Sequence, residues 1–251
     1  MKKITLILII LSVNLLMAQN MSYTVYEFKV KDQAGSGLVQ EFDAFWKDAK
    51  IQENGAFNVE KYRRGAPRGM THRMVRFSEI GRTGHMREGS TKSERSLFWQ
   101  KVRNKVEFGA SFSGRMLSWL PGDFTANPIV QIWHLKLENP SAFKSAHDKF
   151  FNSIGNYMDG KAVGFGTIDV GSPDGATHWV AIATNQKDGG LLKVHHDFDN
   201  KFRKQQSEWF ETNGGIEIID NFSLVTILRP SIVYSIDDNF TTNFMTILNR
   251  L

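Results

Sequence analysis

The chain has 251 residues, 41% of them hydrophobic and 23% charged, with a formal net charge of +5. These proportions are those of a globular protein and exclude a disordered or fibrous chain. The absence of cysteine excludes disulfides, thiolate nucleophiles and thiolate metal sites.

Lys2-Lys3 precede an apolar run from Ile4 to Met17, followed by Ala18-Gln19. A charged segment, a hydrophobic segment and a small residue at a cleavage point read as a signal peptide over residues 1–18. The run is shorter than the about 20 apolar residues of a membrane span. The expectation is an exported protein, periplasmic or secreted, with no membrane span once the signal is removed.

Met21–Lys31 then has strand character, with Tyr23, Val25, Tyr26, Phe28 and Val30 among polar residues. Leu38, Val39, Phe42, Phe45, Trp46 and Ala49 fall at helical spacing. Strands over Ala56–Arg64 and Thr71–Ser78 flank a loop, Gly65–Gly69, that carries turn residues. A helix over Ser93–Val106 and a long strand over Phe108–Leu120 complete this half. Pro121–Pro128 links it to a second half with the same order: strand Ile129–Glu138, a helix opening at Pro140, strands Ala162–Val170 and Thr177–Thr184, one long helix carrying Leu191 through Phe210, and strand Ile216–Leu228. Residues 231–251 read as a tail with a short helix over Phe240–Leu251.

The two halves share an echo. Gly69-Met70-Thr71-His72 recurs 106 positions later as Gly175-Ala176-Thr177-His178, each running into an apolar strand. The predicted class is therefore α+β: two ferredoxin-like βαββαβ repeats, residues 21–121 and 128–230. Each would leave one sheet face bare, and the two bare faces would bury each other as an intramolecular α+β barrel. This order and duplication resemble the dimeric α+β barrel superfamily in its fused, two-repeat form. The resemblance implies a ligand pocket between the sheets or under the helices. It also implies a range of chemistries, from cofactor-free monooxygenases to haem proteins of the chlorite dismutase and dye-decolorising peroxidase groups.

Strand alternation selects the residues expected to face the second sheet. Tyr26, Phe28 and Val30 cover the helices, which turns Glu27 and Lys29 inward. Trp133, Leu135 and Leu137 do the same in the second half, which turns His134 and Lys136 inward. In the Thr-His strands, Val75 and Phe77 are assigned to the helices, leaving His72, Arg76 and His178 inside. His72, His134 and His178 are then the candidate acids or bases, and Glu27, Lys29, Arg76 and Lys136 the candidate ligand-binding residues. The plainer alternative is a structural network in which each Thr-His pair fixes its hairpin.

No spacing matches a zinc motif, and no metal or cofactor is expected on the residues alone. Haem is the alternative that the resemblance implies, with an axial histidine from a helix of the second half: His147, His195 or His196, where Asp199 would orient His195. Gly171-Ser172-Pro173-Asp174-Gly175 matches the Gly-x-x-Asp-Gly string of dye-decolorising peroxidases but reads as ordinary turn chemistry.

Ten basic residues between Lys61 and Arg95 stand against Glu79, Glu88 and Glu94, a local charge of +7. That asymmetry points to an anionic partner, and the absence of a recognition motif argues against nucleic acid. The expected function is binding of a small anionic or aromatic organic molecule, with cofactor-free proton transfer or oxygenation as its chemistry. A haem oxidoreductase and a non-catalytic interaction protein are the alternatives.

Overall fold

The computed structural model describes residues 20–228 except 32–33, 48, 52–54, 83–86, 125 and 186–189. The signal-peptide segment and the tail from 231 onward lie outside the described residues.

The chain runs β1 (Met21–Val30), α1 (Gly35–Trp46), β2 (Ala56–Arg64), β3 (His72–Glu79), α2 (Lys92–Lys105), β4 (Val106–Leu120), β5 (Ile129–Leu137), α3 (Pro140–Ser153), β6 (Val163–Thr167), β7 (His178–Thr184), α4 (Gly190–Asn200), α5 (Arg203–Thr212) and β8 (Ile216–Leu228). The starts of α2 and α3 are written locally. Thr91 and Glu94 form a reciprocal capping box on α2. Asn139 caps α3, with Pro140 in its first turn. The single long helix expected over Leu191–Phe210 is broken at Lys201–Phe202 into α4 and α5. The break lets Phe202 pack on Tyr157, ring centroids 5.0 Å apart, while Trp209 reaches Phe143 at 5.8 Å.

The eight strands among the described residues close into one barrel in the order β1-β3-β2-β8-β5-β7-β6-β4, and every neighbouring pair is antiparallel. The core is consequently layered. The inner layer holds Tyr23, Val25, Tyr62, Val75, Phe112, Met116, Ile132, Trp179, Phe222 and Leu224, drawn from the strands and their connections with no helix residue among its buried members. Outside it, Phe28, Met74 and Val106 pack under α1 and α2 with Phe42, Trp46 and Phe98. Leu135, Phe165 and Val180 pack under α3 with Phe143, and Val163 and Ile182 meet Phe150 and Met158. Both faces of the sheet are thus buried, which closure of a barrel under helices requires.

Strand β6 contributes glycines to this packing. Gly164 and Gly166 make way for Trp179: a Cβ built on Gly166 would stand 2.6 Å from the Arg115 carbonyl oxygen and 2.7 Å from Trp179 Nε1. Gly166→Ala is therefore expected to cost about 2 kcal/mol by overpacking, a fall of roughly 5 °C in Tm for a domain of this size. An unchanged melting temperature would show that the indole does not lie against this strand.

Candidate functional site at the barrel mouth

Two turns meet at one end of the barrel. Pro67–Gly69 joins β2 to β3, and Pro173–Gly175 occupies the same place between β6 and β7. The middle residues, Arg68 and Asp174, both adopt left-handed backbone angles, φ 52° and 53°. For a non-glycine residue this costs about 1–2 kcal/mol. The two meet in an ion pair across the rim: the Arg68 guanidinium donates to Asp174. The Gly-x-x-Asp-Gly string is thus a turn, and its aspartate also carries this contact.

Arg68 also reaches inward to Glu27, which is fully buried. The Tyr62 hydroxyl donates to the other Glu27 oxygen at 2.7 Å. Strand register sets Glu27 opposite Arg73 and Arg73 opposite Glu60, so three charged side chains lie abreast on the inner face. Arg73 Nε donates to Glu60 at 2.6 Å and its guanidinium stands over the Phe222 ring at 5.7 Å. His134 enters from β5 and is buried, edge-on to Phe112 and Phe222 at 5.4 and 5.0 Å. Burial pushes its imidazole down to about 3, with Arg73 and Arg68 adding to the effect. It is therefore neutral at neutral pH, with one ring nitrogen able to accept a hydrogen bond. Burial pushes the Tyr62 hydroxyl far up, which keeps it a donor to Glu27.

Of the residues selected from the sequence, Glu27 and His134 stand in this cluster. Lys29 and Lys136 are exposed, and Lys136 lies 3.5 Å from Glu217 at the surface. His72, Arg76 and His178 are corrected to the helix side. The register pairs Phe28 with His72 and Leu135 with His178, and directly paired residues share a face. His72 accordingly stacks on Phe28 at 5.7 Å and His178 on Phe165 at 5.6 Å. Val75, assigned to the helices, faces the interior, with Phe77 packed against the same layer. Each Thr-His pair joins its hairpin to the neighbouring strand: Thr71 Oγ1 accepts from the Val30 amide of β1 at 2.9 Å and Thr177 Oγ1 from the Leu137 amide of β5 at 3.3 Å. Each threonine hydroxyl also lies 2.8 Å from the Nδ1 of its histidine. Arg73, Glu60, Tyr62 and Arg68 join the cluster from outside the set that strand alternation gives. The run of arginines around them in the sequence was the available signal.

Among the described residues no group of three His, Asp or Glu side chains stands together as a metal site. For haem, His147 has a suitable donor arrangement. Its Nδ1 lies 3.1 Å from Asp148, and its buried Nε2 has no hydrogen-bond partner. The surroundings do not fit a porphyrin. Phe151, Phe165 and Phe143 stand 4.8, 5.3 and 6.2 Å from the imidazole, ring to ring, and Phe165 and Phe143 are fully packed. The space between α3 and the sheet is filled by phenyl rings. His195 is exposed, lies 2.9 Å from Gln131, and Asp199 accepts from Gln206 instead. His196 is exposed beside Asp197. No helix among the described residues is long and apolar enough to cross a membrane.

No protein-family model and no curated sequence matches this chain. Solved structures do. A candidate monooxygenase from Lactobacillus acidophilus superposes with a TM-score of 0.55 at 10% identity, covering 84% of this chain and 95% of that one. A candidate monooxygenase from Fusobacterium nucleatum gives 0.55 at 12% identity, covering 83% and 93%. A point variant of chlorite dismutase from Candidatus Nitrospira defluvii, in complex with cyanide, gives 0.50 at 11% identity, covering 87% and 95%. These neighbours are members of the dimeric α+β barrel superfamily, and this chain has their fold. At such identities the likeness concerns the fold alone and leaves the subfamily open.

Proposed function

We propose that this chain is an exported protein of two fused ferredoxin-like repeats that takes a small organic anion, aromatic in part, at the mouth of its barrel. The observation that carries this reading is His134: a buried, neutral imidazole between two phenyl rings, with two arginines close enough to depress its protonation. Two guanidinium groups stabilise negative charge on a bound molecule, and that negative charge offsets theirs, which raises the imidazole's affinity for the proton the molecule gives up. Arg68 is the entry point. Its side chain is 34% exposed and bridges surface Asp174 to buried Glu27, so an incoming carboxylate or phenolate exchanges with Asp174 as its partner. The reaction is proton abstraction from an acidic O–H or C–H, carried out by the chain's own residues. The monooxygenase descriptions of two neighbours make dioxygen uptake by the deprotonated ligand the activity to look for. The export part of the reading is supported by Lys2-Lys3 and the apolar run after them.

The test is a melting-temperature screen against aromatic carboxylates and phenols, with oxygen consumption followed for each compound that binds. A ligand at 100 times its Kd adds about 2.7 kcal/mol and raises Tm by several degrees. Arg68→Gln is expected to abolish that rise, and His134→Gln to abolish turnover while leaving some binding. If no aromatic acid at millimolar concentration moves the wild-type melting temperature, the reading fails.

The packed interior favours one second reading. Tyr23, Phe112, Trp179 and Phe222 are all buried there, and a solid barrel suits a non-catalytic interaction protein. A screen that yields no ligand supports this one.

A further inference from the structure

Helix α2 carries a feature that neither reading uses. Lys92, Arg95, Ser96, Trp99 and Arg103 line one cleft of about 260 Å³. Their spacing of three, four, seven and eleven residues from Lys92 places them along one flank of the helix. The buried face of the same helix is Phe98 and Val102.

Most of the cleft's charge is not neutralised from within. Among the described residues, Lys92 and Arg103 enter no ion pair. Arg95 donates to the Ser90 carbonyl and hydroxyl and acts on Glu94 through space. The single acid of the helix, Glu94, is taken up by the capping box, accepting from the Thr91 amide at 2.7 Å and hydroxyl at 2.9 Å. The other helix cations are treated differently: Lys101 and Lys105 both reach Glu41, at 3.1 and 3.8 Å. The cleft also has an aromatic wall. Trp99 is half-buried and its ring lies 6.3 Å from that of Phe108, which is 45% exposed on β4.

A flat apolar wall beside Lys92 and Arg103, which have no ion-pair partner among the described residues, selects a ring that carries anionic oxygens. The ring's C–H face covers the indole, and sulfate or carboxylate groups take charge-assisted hydrogen bonds from the guanidinium and ammonium groups. The volume holds one substituted ring rather than a stretch of polymer. We propose that this cleft binds a single sulfated or carboxylated sugar unit, at a site separate from the barrel mouth. The inference does not rest on the proposed chemistry of His134.

Calorimetric titration of the full chain with a sulfated heparin disaccharide tests it, alongside a neutral disaccharide, an unsulfated uronic disaccharide and inorganic sulfate. The expected result is saturable, salt-sensitive binding of the sulfated sugar, with no heat from the neutral one. Comparable binding of the uronic disaccharide would identify carboxylate as the sufficient group; weaker binding would identify sulfate. Arg103→Gln and Lys92→Gln should each weaken affinity about tenfold, one charge-assisted contact apiece. Trp99→Ala should do at least as much. Both charged side chains are exposed, so their variants should melt as the wild type does and report on binding alone. Absence of binding overturns the proposal. So does full affinity in Arg103→Gln, or inorganic sulfate binding as tightly as the disaccharide, which would reduce the cleft to a patch of diffuse positive charge.

Discussion

Replacing Arg73 by methionine is expected to lower the folding free energy by about 3–5 kcal/mol, the cost of stranding a buried carboxylate. Arg73 and Glu60 are each 6% exposed, and their 2.6 Å contact is the only hydrogen bond found for the Glu60 carboxylate among the described residues. Removing the cation leaves Glu60 charged in an aromatic interior beside Tyr62 and Phe222. The double variant Arg73→Met, Glu60→Leu should regain most of the loss, because a buried ion pair is often no better than apolar groups of similar volume. Urea titrations followed by tryptophan fluorescence and circular dichroism give both numbers. A loss below about 1 kcal/mol in the single variant, or no recovery in the double, would mean that water reaches this pair and the barrel end is open.

The second large effect is a loss of stability in mild acid. His134 titrates near 3 in the folded chain and near 6.5 when unfolded. Between those values the unfolded chain takes up a proton that the folded chain refuses, so stability is full above pH 6.5 and falls as pH drops below it. From pH 6.5 to 4, His134 alone contributes a loss on the order of 3 kcal/mol. The same sign applies to His72, lowered to about 4 by burial and by Lys61, and to His147 and His178, both lowered by burial first. Asp148 acts lower down: hydrogen bonds from its neighbours hold it at about 2 against burial, so its contribution is lost as pH falls from the ordinary carboxylate range through that value. Urea titrations at pH 7, 6, 5 and 4 should show His134→Gln with a shallower slope than the wild type by up to about 1.4 kcal/mol per pH unit. Equal slopes would place His134 in contact with water.

The same histidine shows how far the sequence could be read. Element type followed from short-range chemistry: the stripe of Phe42, Phe45 and Trp46, the helix start at Pro140, the turn at Pro173-Asp174-Gly175. The echo around Thr71-His72 and Thr177-His178 marked equivalent turns, and their central residues indeed share one backbone conformation. In β1 and β5, Phe28 and Leu135 announced the helix side, which placed Glu27 and His134 correctly.

Strand phase in β3 and β7 was a different problem. Alternation identifies the buried face only where the other face meets water, and a barrel wrapped in helices buries both. Met74 and Val75 are equally inaccessible on opposite faces, so composition could not tell them apart. Only pairing across strands, Phe28 to His72 and Leu135 to His178, fixed which side each residue takes. Contacts between distant segments were likewise invisible in one dimension. Arg68 meets Asp174 across 106 residues because closure of the sheet brings two hairpin turns to one rim, and nothing local encodes that meeting. The amino-acid order therefore determined what each segment is, through forces that act within a few residues. The closed sheet decided which segments face one another, because register and ring closure are properties of all eight strands together.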